Sequence, residues 1–290
     1  MSDATLSEAE IAHLKSWVGK SQTLEDVIAP DRVAAMAATL DWETAPGKGA
    51  ALPPGWHWLF FNGAARASEL GPDGHPKRGG FLPPVPLPRR MWAGGRLTFH
   101  APVTVGESVR RDSVVTSVEA KRGKTGDLVF VVVRHQVFGG AGLAIEEEHD
   151  IVYRAPPAPG AALPPTPPAP TDAVWRREIR PDPVLLFRYS ALTFNGHRIH
   201  YDHPYVTQVE GYPGLIVHGP LIATLLLGLV GREAQASRLE RFGFRAVSPL
   251  FDTAAFTVNG VPAPDGRSAR LWVAGPGGRL VMEASAVLRR

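Results

Sequence analysis

A run of prolines and alanines near the middle of the chain limits the possible folds more than any other segment. Residues 155–172 read "APPAPGAALPPTPPAPTD" and carry one charge, Asp172. Proline lacks a backbone N–H and has a fixed φ, so such a run forms neither a helix interior nor a central strand. We expect an extended, polyproline-like linker. A long surface loop within one domain is the alternative, but the central position favours two units, residues 1–154 and 173–290.

The two halves show similar orders of predicted elements. The first half begins with two helical segments, continues through a loop rich in Pro, Gly and Trp, and ends in Val-rich, partly alternating runs typical of strands. In the second half, residues 184–194 predict a strand, an apolar helix follows at about 220–234, and strand-like runs with a turn at 275–278 complete the chain. "LPPGWHWLFF" (52–61) is a weak first-half counterpart of that helix. A long helix beside antiparallel strands in each half predicts a tandem α+β architecture.

Composition excludes several classes of function. The chain of 290 residues has 31 basic and 28 acidic residues, a balance too even to predict a nucleic-acid-binding protein. It contains no cysteine, which excludes disulfides, thiolate nucleophiles and cysteine-bound zinc. The N-terminus has acidic residues and no apolar core typical of a secretory signal, and no apolar run is long enough to span a bilayer. We expect a soluble protein without a membrane partner, cytoplasmic in a bacterium or mitochondrial in a eukaryote.

The segment "FNGHRIHYDHPYV", residues 194–206, contains His197, His200 and His203. Their spacing of three would spread them over a wide arc of a helix, whereas metal-binding helices use pairs four apart, so a metal site is not favoured. General acid–base catalysis fits better, because an imidazole both accepts and donates a proton near neutral pH. Asn195 and His200 flank a glycine and are expected to face one pocket. The asparagine there can orient a water but cannot deprotonate it.

A second segment, "GLIVHGPL" (214–221), predicts the start of a helix. Pro220 suits the first helical turn, so free backbone N–H groups are expected to face outward beside Gly219. Such a helix start can stabilise the oxyanion of a thioester enolate, and a glycine lets a carbonyl approach closely. An ordinary helix N-terminus with a solvent-facing His218 is the alternative.

Together, "FRYSALTFNGHRIHYDHPYV" and "GYPGLIVHGPLIATLL" resemble the MaoC-like (R)-specific enoyl-CoA hydratase and dehydratase family, in its branch with tandem hotdog domains. The N-terminal half resembles the catalytically degenerate FAS1-like dehydratase domain of that branch. The resemblance implies a double hotdog, in which each half is a curled antiparallel sheet wrapped around a long central helix. It also implies reversible hydration of a 2-enoyl-CoA without metal or other cofactor. The substrate it suggests is a short branched dicarboxylic acyl-CoA such as mesaconyl-C4-CoA, which gives citramalyl-CoA.

The resemblance also implies the catalytic residues. In the broad family an aspartate stands at the position of Asn195 and an asparagine at that of His197, so the sequence departs from the broad pattern and agrees with the tandem branch. We expect His200 to take a proton from water, Asn195 to hold that water, and the Gly219 N–H to stabilise the thioester oxygen. Either one histidine is both base and acid, or His197 shares the work.

Other candidates are expected to contact the acyl group or the CoA phosphates. His218, His197 and Arg198 are placed near the acyl group, with Arg198 either binding a substrate carboxylate or anchoring its loop. The candidate phosphate ligands are Arg188, Arg245, Lys77 and Arg78. Two alternatives to a hydratase are a hotdog acyl-CoA thioesterase and an inactive acyl-thioester-binding protein. A tandem chain forms its own pseudo-dimer, so a monomer or a homodimer is expected.

Overall fold

Ten strands form one antiparallel sheet in the computed structural model, which describes residues 5–123, 126–156, 165–235 and 237–289. The strands of the N-terminal half are β1 (Ser21–Val27), β2 (Arg89–Phe99), β3 (Ser108–Gly123), β4 (Gly126–Gly139) and β5 (Gly142–Arg154). The strands of the C-terminal half are β6 (Trp175–Ile179), β7 (Arg238–Ala246), β8 (Phe256–Pro262), β9 (Ser268–Ala274) and β10 (Leu280–Arg289). The order β1-β3-β4-β5-β2-β7-β10-β9-β8-β6 repeats one topology on either side of the β2–β7 pair.

The α-helices of the described chain are α1 (Glu8–Lys15), α2 (Pro30–Thr39), α3 (Pro183–Leu192) and α4 (Gly219–Glu233). Helix α4 has nine buried residues, and it contacts all five strands of the C-terminal half. A helix that is apolar on every side belongs in a core. The predicted central helix of this half is therefore present, and its N-terminus points toward the junction with the other half.

Most of the predicted strand at 184–194 folds as helix α3, which ends at Leu192. Asp182 caps this helix, with its side chain accepting a hydrogen bond from the Leu185 N–H at 2.7 Å, and Pro183 occupies the first turn. Both are strong helix-start signals. The run itself contains one β-branched residue in the helix, Val184, and its Leu and Ala residues favour a helix once the N-terminus is capped.

The N-terminal half departs from the expectation of a long central helix. Every residue between α2 and β2 is described, and the longest helix there is a single 3₁₀ turn, Trp56–Leu59. It follows Pro53, Pro54 and Gly55, whereas α4 begins with Gly219 and Pro220, and it stops after four residues. A Cβ on Gly55 would lie 2.7 Å from Leu227 Cδ1, so the turn packs directly on α4. Loop side chains thus fill the space that a helix occupies in the C-terminal half.

The two halves meet where β2 pairs with β7. Gly95 lies opposite Phe244 in this ladder, and a Cβ on Gly95 would come within 2.9 Å of the Phe244 ring. The missing side chain therefore allows the strands to pack closely across the junction. No helix in the described residues is long and apolar enough to cross a membrane.

The Pro-rich segment lies partly outside the described residues, at 157–164. After that gap the chain runs along the C-terminal half, with the Ala169 N–H donating to Gly278 O at 2.8 Å and the Leu280 N–H donating to Pro167 O at 3.0 Å. Arg270 pairs with Asp172 at 2.6 Å. The division into units 1–154 and 173–290 remains a proposal, and it coincides with the two sets of five strands.

Candidate active site

His200 is the centre of the candidate site. It ends a one-turn helix, Arg198–His200, and its side chain is buried. Its Nδ1 lies 2.7 Å from Ile216 O, so Nδ1 carries the proton and donates to that carbonyl, which leaves Nε2 as a free acceptor. Burial lowers the pKa of His200 to about 4, although the bond to Ile216 opposes this shift. The ring is therefore neutral at pH 7, as a general base must be.

The His218 side chain packs against the His200 ring. The two rings stack with centroids 3.7 Å apart and an interplanar angle of 18°. His218 is fully buried, and its Nε2 is 2.8 Å from Ser190 Oγ. Burial, followed by the charges of His200 and His197, holds the pKa of His218 well below its usual value. His218 is thus not solvent-facing, which contradicts the alternative of an ordinary exposed helix start. Its predicted place near the acyl group stays a prediction, and its ring supports that of His200.

Gly219 begins α4 next to this stack, as the sequence predicts. Its N–H has no hydrogen-bond partner among the described residues, because the first N–H groups of a helix have none within the helix. A Cβ at this position would lie 3.8 Å from Trp92 O on β2. The helix start therefore lies against β2 of the N-terminal half, and a thioester oxygen that reached it would find a donor and the positive end of the helix dipole.

Asn195 uses its side-chain oxygen within its own loop. Oδ1 accepts a hydrogen bond from the His197 N–H at 3.0 Å, and the Asn195 N–H donates to Ser190 O at 2.8 Å. This Asx turn fixes the approach to His200. The side-chain NH₂ makes no hydrogen bond to any described residue, so this end of the amide is the one available to a water or a substrate.

Arg198 anchors its loop, which resolves the two readings left open by the sequence. Its guanidinium pairs with Asp202 at 2.8 Å, donates to Pro72 O at 3.0 Å, and lies over the Tyr205 ring at 4.1 Å. With its guanidinium held on these three sides, Arg198 is a poor candidate for binding a substrate carboxylate.

The N-terminal half supplies a loop, residues 71–76, that packs on the catalytic loop. The Arg198 N–H donates to Asp73 O at 2.9 Å. Gly74 has a φ of +87°, and a Cβ there would lie 1.9 Å from Gly196 O. Backbone therefore meets backbone at this contact, and only glycine fits at position 74.

This loop brings two titratable residues that the sequence reasoning missed, Asp73 and His75. Asp73 Oδ2 lies 2.9 Å from His75 Nδ1, and the His75 ring contacts the His197 ring with centroids 4.0 Å apart. The His197 ring lies in turn 5.4 Å from that of His200. The signal was the turn "PDGHP", with an acid and a histidine on either side of a glycine, but only Lys77 and Arg78 beyond it were singled out.

Asp73 is an ionised partner of His75. Burial opposes ionisation of Asp73, but the hydrogen bonds and charge of His75 outweigh it and hold the pKa of the Asp73 carboxyl below its usual range. Burial lowers the pKa of His75, Asp73 opposes that shift, and the Arg90 guanidinium adds to it. Asp73 therefore favours the imidazolium form of His75 in an environment that otherwise disfavours it.

Two groups of side chains have the composition of a metal site. Asp73, His75 and His197 form one, and His135, Glu147 and His149 form the other; the ligand atoms within each group lie within 4.8 Å of one another. In the first group Asp73 binds His75 directly. In the second, Glu147 Oε1 lies 3.2 Å from His149 Nε2, and Glu147 Oε2 accepts from Trp58 Nε1 at 2.9 Å. His203 is exposed and belongs to neither group.

The predicted phosphate ligands stay predictions, and three of the four already contact other residues. Arg78 donates to the carbonyls of Val85, Leu87 and Pro88, so it holds the Pro-rich loop and is not free for a phosphate. The other three candidates, Arg188, Arg245 and Lys77, are exposed, and the last two already contact Glu283 Oε1 and Ser68 O respectively, each at 2.9 Å.

Strand order and central helix together define a double hotdog protein, with the candidate histidine site near the junction of its halves. A solved structure of a double hotdog protein from Mycobacterium tuberculosis has a TM-score of 0.57 at 15% identity and covers 93% of this chain and 96% of its own. The double hotdog prediction is therefore confirmed.

The family model for hydroxyacyl-thioester dehydratase type 2 matches residues 55–252, and the chain belongs to that family. The mesaconyl-C(4)-CoA hydratase of Chloroflexus aurantiacus is 46% identical over 274 residues, which cover 94% of this chain and 97% of that protein. The mitochondrial hydroxyacyl-thioester dehydratase type 2 of Schizosaccharomyces pombe is 32% identical over 233 residues, which cover 72% of this chain and 77% of that protein. Both relatives are named for hydration or dehydration, as the sequence motifs predict.

Proposed function

We propose that the protein reversibly hydrates a 2-enoyl-CoA to a 3-hydroxyacyl-CoA. The observation that carries this proposal is the free Nε2 of His200, a neutral buried base whose ring stacks on His218, the residue directly before the unpaired N–H of Gly219. A base and an oxyanion donor at one point are what conjugate addition of water to a thioester requires. The names of the relatives support the same reaction.

In this mechanism His200 accepts a proton from the water as its oxygen adds to C3. Negative charge moves through C2 to the thioester oxygen, where the Gly219 N–H stabilises it; one such donor typically contributes about 3 kcal/mol. The amide end of Asn195 holds the water or the substrate in place. Protonation of C2 completes the addition, and the reverse sequence is dehydration.

For the substrate, we propose an enoyl-CoA that carries a carboxylate on C3, as mesaconyl-C4-CoA does. The structural support is Arg90, which lies opposite Tyr153 in the β2–β5 ladder. Its charge contributes to the lowered pKa of both His75 and His197, after burial in each case, so the guanidinium is within electrostatic reach of both rings. Arg90 forms no ion pair with any described carboxylate. A half-buried guanidinium without a counter-ion near the site is a natural carboxylate receptor.

The proposed reaction is tested with two substrates, mesaconyl-C4-CoA and crotonyl-CoA. We expect the enoyl absorbance to fall without release of free CoA, and mesaconyl-C4-CoA to react faster. Release of free CoA from either substrate would instead indicate the thioesterase. No change with any enoyl-CoA would indicate a binding protein.

Replacing Arg90 with Met tests the carboxylate assignment. We expect kcat/KM for mesaconyl-C4-CoA to fall about 30- to 100-fold, the range for losing a charged hydrogen bond, while the rate with crotonyl-CoA stays near wild type. Arg96→Met is the matched control on the same strand, because Arg96 is exposed and paired with Glu148 and Asp150. An equal loss of kcat/KM with both substrates would show that Arg90 does not bind the substrate carboxylate.

A further inference from the structure

We propose that His75, held by Asp73, is the second proton-transfer group of this site and delivers the proton to C2 while His200 takes the proton of water. This inference rests on the proposed hydratase function. It assigns the acid that the motif around His200 does not supply. It also gives the N-terminal half a catalytic part, in contrast to the degenerate role that the family resemblance implies for it.

The first observation is the geometry of the pair. Asp73 Oδ2 lies 2.9 Å from His75 Nδ1, and Asp73 Oδ1 also accepts the His75 backbone N–H at 3.1 Å. With Nδ1–H donated to the carboxylate, Nε2 is the ring atom left to exchange protons. A carboxylate that orients an imidazole and stabilises its charged form is the arrangement used by many acid–base enzymes.

The second observation is how this pair is held in the site. The Arg198 N–H binds Asp73 O, and the Gly74 backbone lies against that of Gly196, so the pair is fixed to the catalytic loop itself. The side chain of His75 is 18% exposed, which is enough for a small substrate to reach it. A pair attached this tightly keeps a constant position relative to His200.

The third observation is the neutral residue at 195. An asparagine side chain cannot exchange a proton, so a site with Asn195 and His200 alone has one titratable group for two proton transfers. Asp73 restores a carboxylate to the site from the other half of the chain. It acts through His75 and is therefore a positioning residue, whereas His75 would contact the substrate.

The two proton transfers balance when His200 acts as the base and His75 as the acid. Water gives its oxygen and one hydrogen to C3 and one proton to His200 Nε2. The His75 imidazolium gives the proton that forms the new C2–H bond and becomes neutral. A proton then passes from His200 to His75 and resets both. The contacting rings of His200, His197 and His75, with centroid distances of 5.4 and 4.0 Å, lie along that route.

The surroundings of His200 and His75 differ in whether a carboxylate contacts the imidazole. His200 has no carboxylate partner among the described residues, and burial keeps it neutral. Burial, Arg90 and Arg78 lower the pKa of His75 as well, but Asp73 opposes that shift through its hydrogen bond and its charge. Environments that separate the protonation of two nearby groups define a base and an acid.

The test compares His75→Ala, His75→Gln and Asp73→Asn in the full-length protein. We expect kcat of hydration to fall about 10²- to 10³-fold in both His75 variants, with partial recovery of His75→Ala by added imidazole. Asp73→Asn should lower the pKa of His75, because a charge that stabilises the imidazolium is lost. The alkaline limb of the pH profile should therefore move to lower pH. His100→Ala, an exposed histidine of the same half, should leave the rate unchanged.

The outcomes separate this inference from the proposed function. Near wild-type rates in folded His75→Ala would overturn the role of His75 while the hydratase function stands. A wild-type protein without activity on any enoyl-CoA would overturn both. Loss of activity with a chelator and recovery with Zn²⁺ would show that Asp73, His75 and His197 hold a metal ion instead of moving a proton. An unchanged pH profile in Asp73→Asn would remove Asp73 from the mechanism.

Discussion

Replacing His200 with Ala is expected to lower kcat/KM for hydration by about 10³-fold or more. The variant removes the free Nε2 that accepts the proton of water, and general base catalysis typically contributes 10²- to 10⁴-fold. His200→Gln is a second variant, since Gln can still donate a hydrogen bond to Ile216 O but cannot accept a proton. Both are measured by loss of enoyl absorbance, with circular dichroism to show that the proteins remain folded.

His203→Ala is the matched control for this prediction. His203 lies three residues further along the same segment, but its side chain is exposed. Its loss should leave kcat/KM within about twofold of wild type, as is usual for surface substitutions. Wild-type turnover by His200→Ala, or an equal loss in His203→Ala, would contradict the assignment of the base.

Gly74→Ala is expected to lower both stability and activity. The Cβ would lie 1.9 Å from Gly196 O, and the φ of +87° disfavours any L side chain. The loop that carries Asp73 and His75 must therefore move away from the catalytic loop. We expect a loss of about 1–3 kcal/mol in the free energy of unfolding and a drop of about 10²-fold in kcat/KM, because displacements near 1 Å cost that much in rate.

Gly49→Ala separates the clash from the backbone strain. Gly49 has a φ of +83°, but a Cβ there would have no described atom within 4 Å. It should lose less stability than Gly74→Ala, from backbone conformation alone, and retain wild-type kcat/KM. Denaturant unfolding and steady-state kinetics measure both quantities. Full activity in Gly74→Ala would show that the contact with Gly196 does not position the site.

The parts of the site that lie on one continuous stretch could be predicted from the sequence. His200 and the helix start at Gly219 carry local signals, a cluster of titratable residues and a Gly-Pro pair, and the structure places them together. For His218 the sequence leaves a site residue and a solvent-facing residue as alternatives, because its burial depends on stacking with His200, which only the fold shows. Arg198 was left with two readings, since only the fold shows that Asp202 and Pro72 hold it.

The parts that depend on the other half could not be predicted. Asp73 and His75 reach the site only because β2 pairs with β7 and brings the two halves together, a contact that no local pattern encodes. Contact between the two halves also explains why the described N-terminal half has no long helix. Its stretch at 52–61 looks like the start of a core helix, but packing against α4 already covers its Trp and Leu side chains. Tertiary contact decided these features over local propensity.

The loop contact between the two halves also determines when during folding the site can form. Arg198 binds Pro72 across 126 positions of sequence. Contacts so distant in sequence form late, because the chain between them must first be ordered. A partly unfolded chain can therefore contain a complete C-terminal sheet around α4 and still lack Asp73 and His75 at the site. Activity in this protein therefore requires that its two halves dock, in addition to the folding of the half that contains His200.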